Sequence, residues 1–177
     1  MSEPWSQLDP QERAERLLST ARAAAPTLAT MASLALMALP IWLSGPILPN
    51  LAVLGVFYWS THRPEWMPPW AAFLIGLLLD VWLGQPLGLN AALLAVMAAI
   101  LNSQALVFLS RPFGFAAAVF VPLMVVYQLL AWWLGTLVTA MPLPLTPMLV
   151  QTMTTILVLP LASLAHGWLN RRLTPPL

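Results

Sequence analysis

RPEWMPPWAAFLIGLLLDVWLGQPLGLNA, residues 63–91, decides how this chain is read. It sets Asp80 in the middle of an apolar run, and no other acid occurs between Trp66 and the C-terminus. On insertion scales a carboxylate at the centre of a membrane helix costs about 2.5–3.5 kcal/mol. The surrounding sequence must therefore supply a compensation. Gly76, Asp80 and Gly84 recur at four-residue spacing, which places all three on one helix face. Small residues at that spacing let a partner backbone come close. Asp80 is thus expected to point into a tight helix contact and away from lipid.

No Arg, Lys or His lies within reach of Asp80 inside an apolar segment, so an intramembrane salt bridge is not available. Two compensations remain. Desolvation could leave the carboxyl protonated, or it could stay ionised against the amides that open the next helix, near Gly88, Leu89 and Asn90. A helix N-terminus carries about half a positive charge and unpaired donors. The second account is preferred, with Asn90 as a side-chain partner and with Pro86 and Gly88 shaping the turn without adding bulk. Intramembrane acids often mark ion pathways. A relay, however, needs a second titrating group, and none sits inside the other segments; His166 falls about a turn from one end of the last, as an interfacial histidine would. A structural role is therefore favoured over transport and over partner docking.

Working outward, the composition fits a membrane. The chain has 177 residues, 60% hydrophobic and 7% charged, with mean hydropathy +0.82. A soluble domain carries about 25% charged residues, so this surface is not built for water. Cysteine is absent, which excludes disulfides and thiolate metal sites. Net charge is +1, too weak and scattered for nucleic-acid binding. No metal, cofactor or catalytic group is expected.

Apolar segments fall at residues 26–44, 47–61, 69–84, 87–109, 114–138 and 147–169. At about 1.5 Å per residue, the last three reach across a hydrocarbon core of about 30 Å, and the second and third span about 22–24 Å. All seven cations are Arg, at positions 13, 16, 22, 63, 111, 171 and 172. The turns near Gly45-Pro46, Gln85-Pro86 and residues 141–147 carry no charge. Six spans with both termini inside put every Arg in the cytoplasm, as the positive-inside bias requires. The expected fold is therefore an all-α membrane protein, a six-transmembrane-helix bundle. Residues 1–25 read as a cytoplasmic leader, either with an interfacial helix opened by Asp9 and Pro10 or as a mobile tail that only carries orienting charge; it does not read as a cleavable signal peptide. Residues 26–170 form the membrane domain and residues 171–177 a cytoplasmic tail.

Trp42, Trp59, Trp66, Trp70, Trp82, Trp132, Trp133 and Trp168 lie near segment ends, as an aromatic belt would. Pro40, Pro122 and Pro160 fall inside segments, where membrane helices tolerate kinks. Gln128, Gln151, Thr152, Thr154 and Thr155 read as interhelical hydrogen bonds. Arg63 and Glu65 form a second pair in a stiff turn, in which Pro64 holds Arg63 extended. They are either an exposed ion pair worth about 0–1 kcal/mol that fixes topology, or a cytoplasmic docking knob.

The ordered set Tyr58-Trp59, Arg63-Pro64-Glu65, Gly76, Asp80, Gly84 and Pro86-Leu87-Gly88-Leu89 resembles the MreD family, the membrane subunit of the bacterial rod-shape machinery. The last three spans match in character only. The resemblance implies a non-enzymatic scaffold in the bacterial inner membrane. Its partner would be MreC, a bitopic protein, and through it the peptidoglycan synthases and the MreB filament. That family is also similar in fold to the substrate-binding S-components of energy-coupling-factor vitamin transporters, which supplies the rival reading. Ala25 and Ala29 fit it; the short, uncharged outer loops do not. An intramembrane hydrolase needs an acid pair with His, or a Ser–His pair, and one acid with one end-lying His falls short.

Overall fold

The computed structural model describes residues 24–34 and 48–173. The leader through residue 23, the first segment beyond residue 34 with Pro40, Trp42 and Gly45-Pro46, and residues 174–177 lie outside the described residues. The described chain is all-helical: α1 (24–34), α2 (Leu51–His62), a 3₁₀ turn (Pro64–Trp66), α3 (Pro69–Leu83), α4 (Leu89–Ser103), α5 (Ala105–Leu109), α6 (Phe113–Thr139) and α7 (Leu145–Leu173).

Local chemistry sets the boundaries. Asn50 caps α2, its Oδ1 accepting from Val53 N–H at 3.2 Å, which satisfies one of the free donors of a first turn. Helices α3 and α6 each begin directly after a proline in extended conformation, Pro68 and Pro112. Helix α3 ends at Gly84 in the left-handed region (φ 63°), with Gln85 N–H reaching back to the Asp80 carbonyl at 2.9 Å. That closing bond uses a conformation glycine adopts without strain. Pro122 and Pro160 do lie within continuous helices.

Helix α2 is the centre of the bundle. Every residue from Ala52 to Thr61 is buried, as expected of a helix apolar on all sides. It packs against α3, α4, α5 and α7. Phe57 joins it edge-on to Phe108 of α5 (6.0 Å) and Phe120 of α6 (4.9 Å). Helix α1 presents Pro26, Thr30 and Leu34 to the core at four-residue spacing. Thr30 lies so close to Gly55 that a Cβ there would stand 2.5 Å from its methyl. Helices α3 and α4 form the closest pair.

The long helices behave differently. Helix α6 has 27 residues and α7 has 29, about 40 Å and 43 Å at 1.5 Å per residue, enough to cross a bilayer. Each leaves much of its apolar surface outside. Leu149, Met153, Leu157, Leu161 and Leu164 form an exposed stripe on α7, which suits lipid rather than water.

Three expectations need correction. The fourth apolar segment is not one continuous helix, because α4 stops at Ser103 and a turn at Gln104 leads into the short α5. At the break Asn102 donates from Nδ2 to the Met67 carbonyl (3.0 Å), tying the end of α4 to the turn before α3, and Ser103 donates its hydroxyl to the Ile100 carbonyl (2.7 Å), a local bond of the kind that competes with the helical ladder. Trp59 is no belt residue; it is fully buried, while Trp70, Trp82, Trp133 and Trp168 are exposed as a belt requires. His166 is also withdrawn from the surface. It is buried, stacks on Tyr58 (5.4 Å) and bonds through Nδ1 to the Ala162 carbonyl (2.8 Å).

The two ends of the bundle contrast in charge. His62, Arg63, Glu65, Leu109 and Asn170 surround one recess, which gathers the arginine-bearing turns and the end of α7. Arg63, Arg111 and Arg172 there lie over Trp66, Phe115 and Trp168 at 5.1, 5.7 and 5.3 Å. At the other end Leu48, the turn Gly84–Pro86 and the loop at Leu143-Pro144 surround a cavity.

Candidate functional site

The site forms where α3 ends and α4 begins. Asp80, on the last turn of α3, is fully buried. Its Oδ2 accepts from Gly88 N–H (2.9 Å) and Ala91 N–H (3.4 Å). Its Oδ1 accepts from Asn90 N–H (2.9 Å) and Asn90 Nδ2 (2.8 Å). Every one of these contacts is a donor to the carboxyl, the pattern an acceptor-only carboxylate satisfies. The backbone donors are the free N–H groups of a helix start, where the macrodipole also favours negative charge. Of the two compensations open in the sequence, the geometry matches the second. Asn90 is the expected side-chain partner.

The residues around Asp80 play unequal parts. Gly76 is the close-approach position: a Cβ would stand 2.5 Å from Ala91 Cα and 2.6 Å from the Asn90 carbonyl oxygen. Without that bare backbone, α4 could not come near enough to offer its amides. Gly84, read from its spacing as a second packing glycine, is not one. A Cβ there would meet nothing within 4 Å, and its value lies in the left-handed turn that ends α3. Gly88 likewise sits at positive φ (97°) in open space, turning the chain so that its own N–H faces Asp80. Pro86 accepts from Leu89 N–H (3.2 Å) and closes the turn between them.

Two residues escaped the sequence reading. Gln85 Oε1 takes a bond from Asn90 Nδ2 (2.7 Å). Tyr127 of α6, buried, donates its hydroxyl to Asn90 Oδ1 (2.6 Å). Asn90 is therefore the hub, held by Asp80 and Gln85 on its amide nitrogen and by Tyr127 on its oxygen, and through it the α3–α4 turn is tied to α6. The available signals were a polar residue in an otherwise apolar turn, for Gln85, and a single polar-tipped ring in mid-segment, for Tyr127.

Arg63 and Glu65 lie apart from this network, in the turn between α2 and α3. They form an ion pair at 3.6 Å, with side chains 34% and 54% exposed, so the attraction is screened and small. Arg63 takes φ −145°, ψ 69°, outside the helical region, as the following proline requires. Of the polar residues read as interhelical bonds, Gln128 and Gln151 join α6 to α7 (3.1 Å), and Thr155 accepts from Asn50 N–H at the start of α2 (2.8 Å). Thr152 and Thr154 instead bond carbonyls of their own helix.

The site is thus a buried acid bonded by its own turn, in a chain of long apolar helices. No curated protein and no solved structure matches the chain, but the family model described as rod shape-determining protein MreD matches residues 23–167. The chain belongs to the MreD family, membrane proteins that determine rod shape and are not enzymes.

Proposed function

We propose that this protein is a scaffold of the cell-elongation complex. It would cross the bacterial inner membrane six times with both termini in the cytoplasm, and bind an MreC-like bitopic protein that links it to the peptidoglycan synthases and, indirectly, to MreB. The observation that carries this reading is the state of Asp80. Its four donors all come from the chain's own turn, so the one acid beyond Trp66 is committed to architecture and not to moving an ion or a substrate. The gathering of the arginine-bearing turns at one end supports the orientation. The exposed Arg63–Glu65 turn at that end is suited to meeting a cytoplasmic partner, and the exposed apolar stripes of α6 and α7 to meeting lipid.

Topology is directly testable because no native cysteine must be removed. Single cysteines at Gly45, Gln85 and Pro144 should react with an impermeant thiol reagent from the periplasmic side, and cysteines at Glu65, exposed in the α2–α3 turn, Ser110 and Leu173 should not. Labelling of position 65 from outside would overturn the six-span arrangement. Purification from native membranes should co-recover a bitopic MreC-like protein, and depletion should round rod-shaped cells. Tight vitamin binding with no protein partner recovered would replace the scaffold with the transporter reading.

A further inference from the structure

Beside the Asp80 turn, between the end of α3, the second half of α6 and the start of α7, lies a cavity of about 490 Å³. Pockets of that size, mainly apolar with a few placed polar groups, are what small ligands occupy. Trp82, Trp132 and Pro144 contribute flat apolar walls, and Gln85, Gln128 and Gln151 are the amides among its lining. Asp, Glu, Lys, Arg and His are absent among the described lining residues. A charged guest would enter without a counter-charge, which is costly in an apolar setting.

The polar groups define what would be recognised. Gln128, buried on α6, donates Nε2 to Gln151 Oε1 of α7 at 3.1 Å. That one bond leaves Gln128 Oε1 as an acceptor and Gln151 Nε2 as a donor. Turning both amides around still leaves one of each. A neighbouring donor and acceptor are the complement of a primary or cyclic amide, which presents the same two groups side by side. Trp132 cannot supply a further donor, since its Nε1 is already bonded to the Leu143 carbonyl (2.9 Å); it offers ring surface and holds the α6–α7 loop over the cavity.

We infer that this cavity is a binding site for an uncharged, planar, amide-bearing small molecule, read by the Gln128–Gln151 pair and lying against the rings of Trp82 and Trp132. The site stands on the cavity alone and is independent of whether an MreC-like partner binds. Its position, sharing Gln85 with the Asn90 hub, would let occupancy brace the α3–α4 turn against α6 and α7.

The test uses the full chain in lipid nanodiscs, labelled with 5-fluorotryptophan and followed by ¹⁹F NMR, with benzamide as the probe and benzoate as its charged counterpart. Benzamide should give a saturable shift confined to the resonances that disappear in Trp82→Phe and Trp132→Phe, and benzoate should give none. Gln151→Leu should weaken benzamide at least fivefold, and Ala131→Phe, which fills the cavity from α6, should abolish the shift. Equal responses to benzamide and benzoate, unchanged binding in Ala131→Phe, or no saturable benzamide shift would each overturn the site. Tighter binding of N-acetyl-leucine methylamide than of benzamide would overturn it too, by placing a peptide segment there. The benzamide–benzoate comparison needs only the unaltered chain, so it decides even where a variant fails to fold.

Discussion

The α3–α4 and α6–α7 hairpins each pair two apolar helices, but by different means. Lipid gives helices no hydrophobic reason to associate, so close packing and hydrogen bonds must do it. In α3–α4 the backbones touch at Gly76 and Ala91, and a buried carboxylate collects the amides of the facing helix start. In α6–α7 one glutamine pair bridges the helices, a cavity lies between them near one end, and their outer faces remain exposed. Specific polar chemistry is concentrated in the first hairpin. The second is joined loosely enough to leave surface for lipid, partner or ligand. Changes in the first should therefore damage the whole bundle, and changes in the second should be tolerated.

The largest effects should fall on Asp80. Asp80→Lys sets a cation against the positive end of α4 and should prevent the protein from accumulating, as measured by fluorescence-detected size exclusion in detergent. Asp80→Leu should come next, since each donor left without an acceptor costs about 1–3 kcal/mol. Asp80→Asn keeps an acceptor and should lose only about 1–2 kcal/mol, retaining most shape-determining function. An Asp80→Asn protein that is folded and partner-bound yet inactive would sink the architectural account and point to proton movement.

Next in size, the two glycines of the same face should separate. Gly76→Ala drives a methyl into backbone and should cost about 1–3 kcal/mol, visible as a lower unfolding temperature. Gly84→Ala meets open space and should cost only the left-handed conformation, about 1–2 kcal/mol. Were Gly84→Ala clearly the worse of the pair, the close-approach role assigned to Gly76 would fail. Tyr127→Phe removes one bond to Asn90 and should cost about 1 kcal/mol, loosening α6 from the turn. The smallest change belongs to the second hairpin: Gln151→Leu should cost about 0.6 kcal/mol, the usual worth of an interhelical hydrogen bond in lipid. A loss there as large as that of Asp80→Leu would erase the contrast between the hairpins.

The Asp80 clamp was readable because it is local. Its donors lie eight to eleven residues along the chain, across one turn whose proline and glycines announce it, and a lone acid in an apolar run demands a partner nearby. Gly84 shows the limit of such reading. Four-residue spacing puts it on the Gly76 face, but spacing does not reveal that the helix ends there. The burial of Trp59 and His166 was hidden for another reason. Their sequence position near segment ends fits a belt or an interface equally well, and only the crowding of α7 against α2 withdraws them from the surface.

By itself the sequence determined that the chain is apolar and helical, that Asp80 needs the start of the following helix, and that the arginines alternate with uncharged turns. Each of these follows from composition or from interactions within about a dozen residues, where covalent connection limits the choices. The tertiary structure alone decided that α2 is the buried centre, that Asn90 is held by Tyr127 from 37 residues away, and that two glutamines meet over a cavity. Those depend on which helices become neighbours. Helices that are apolar on every side leave that question open until packing and a few distant hydrogen bonds settle it.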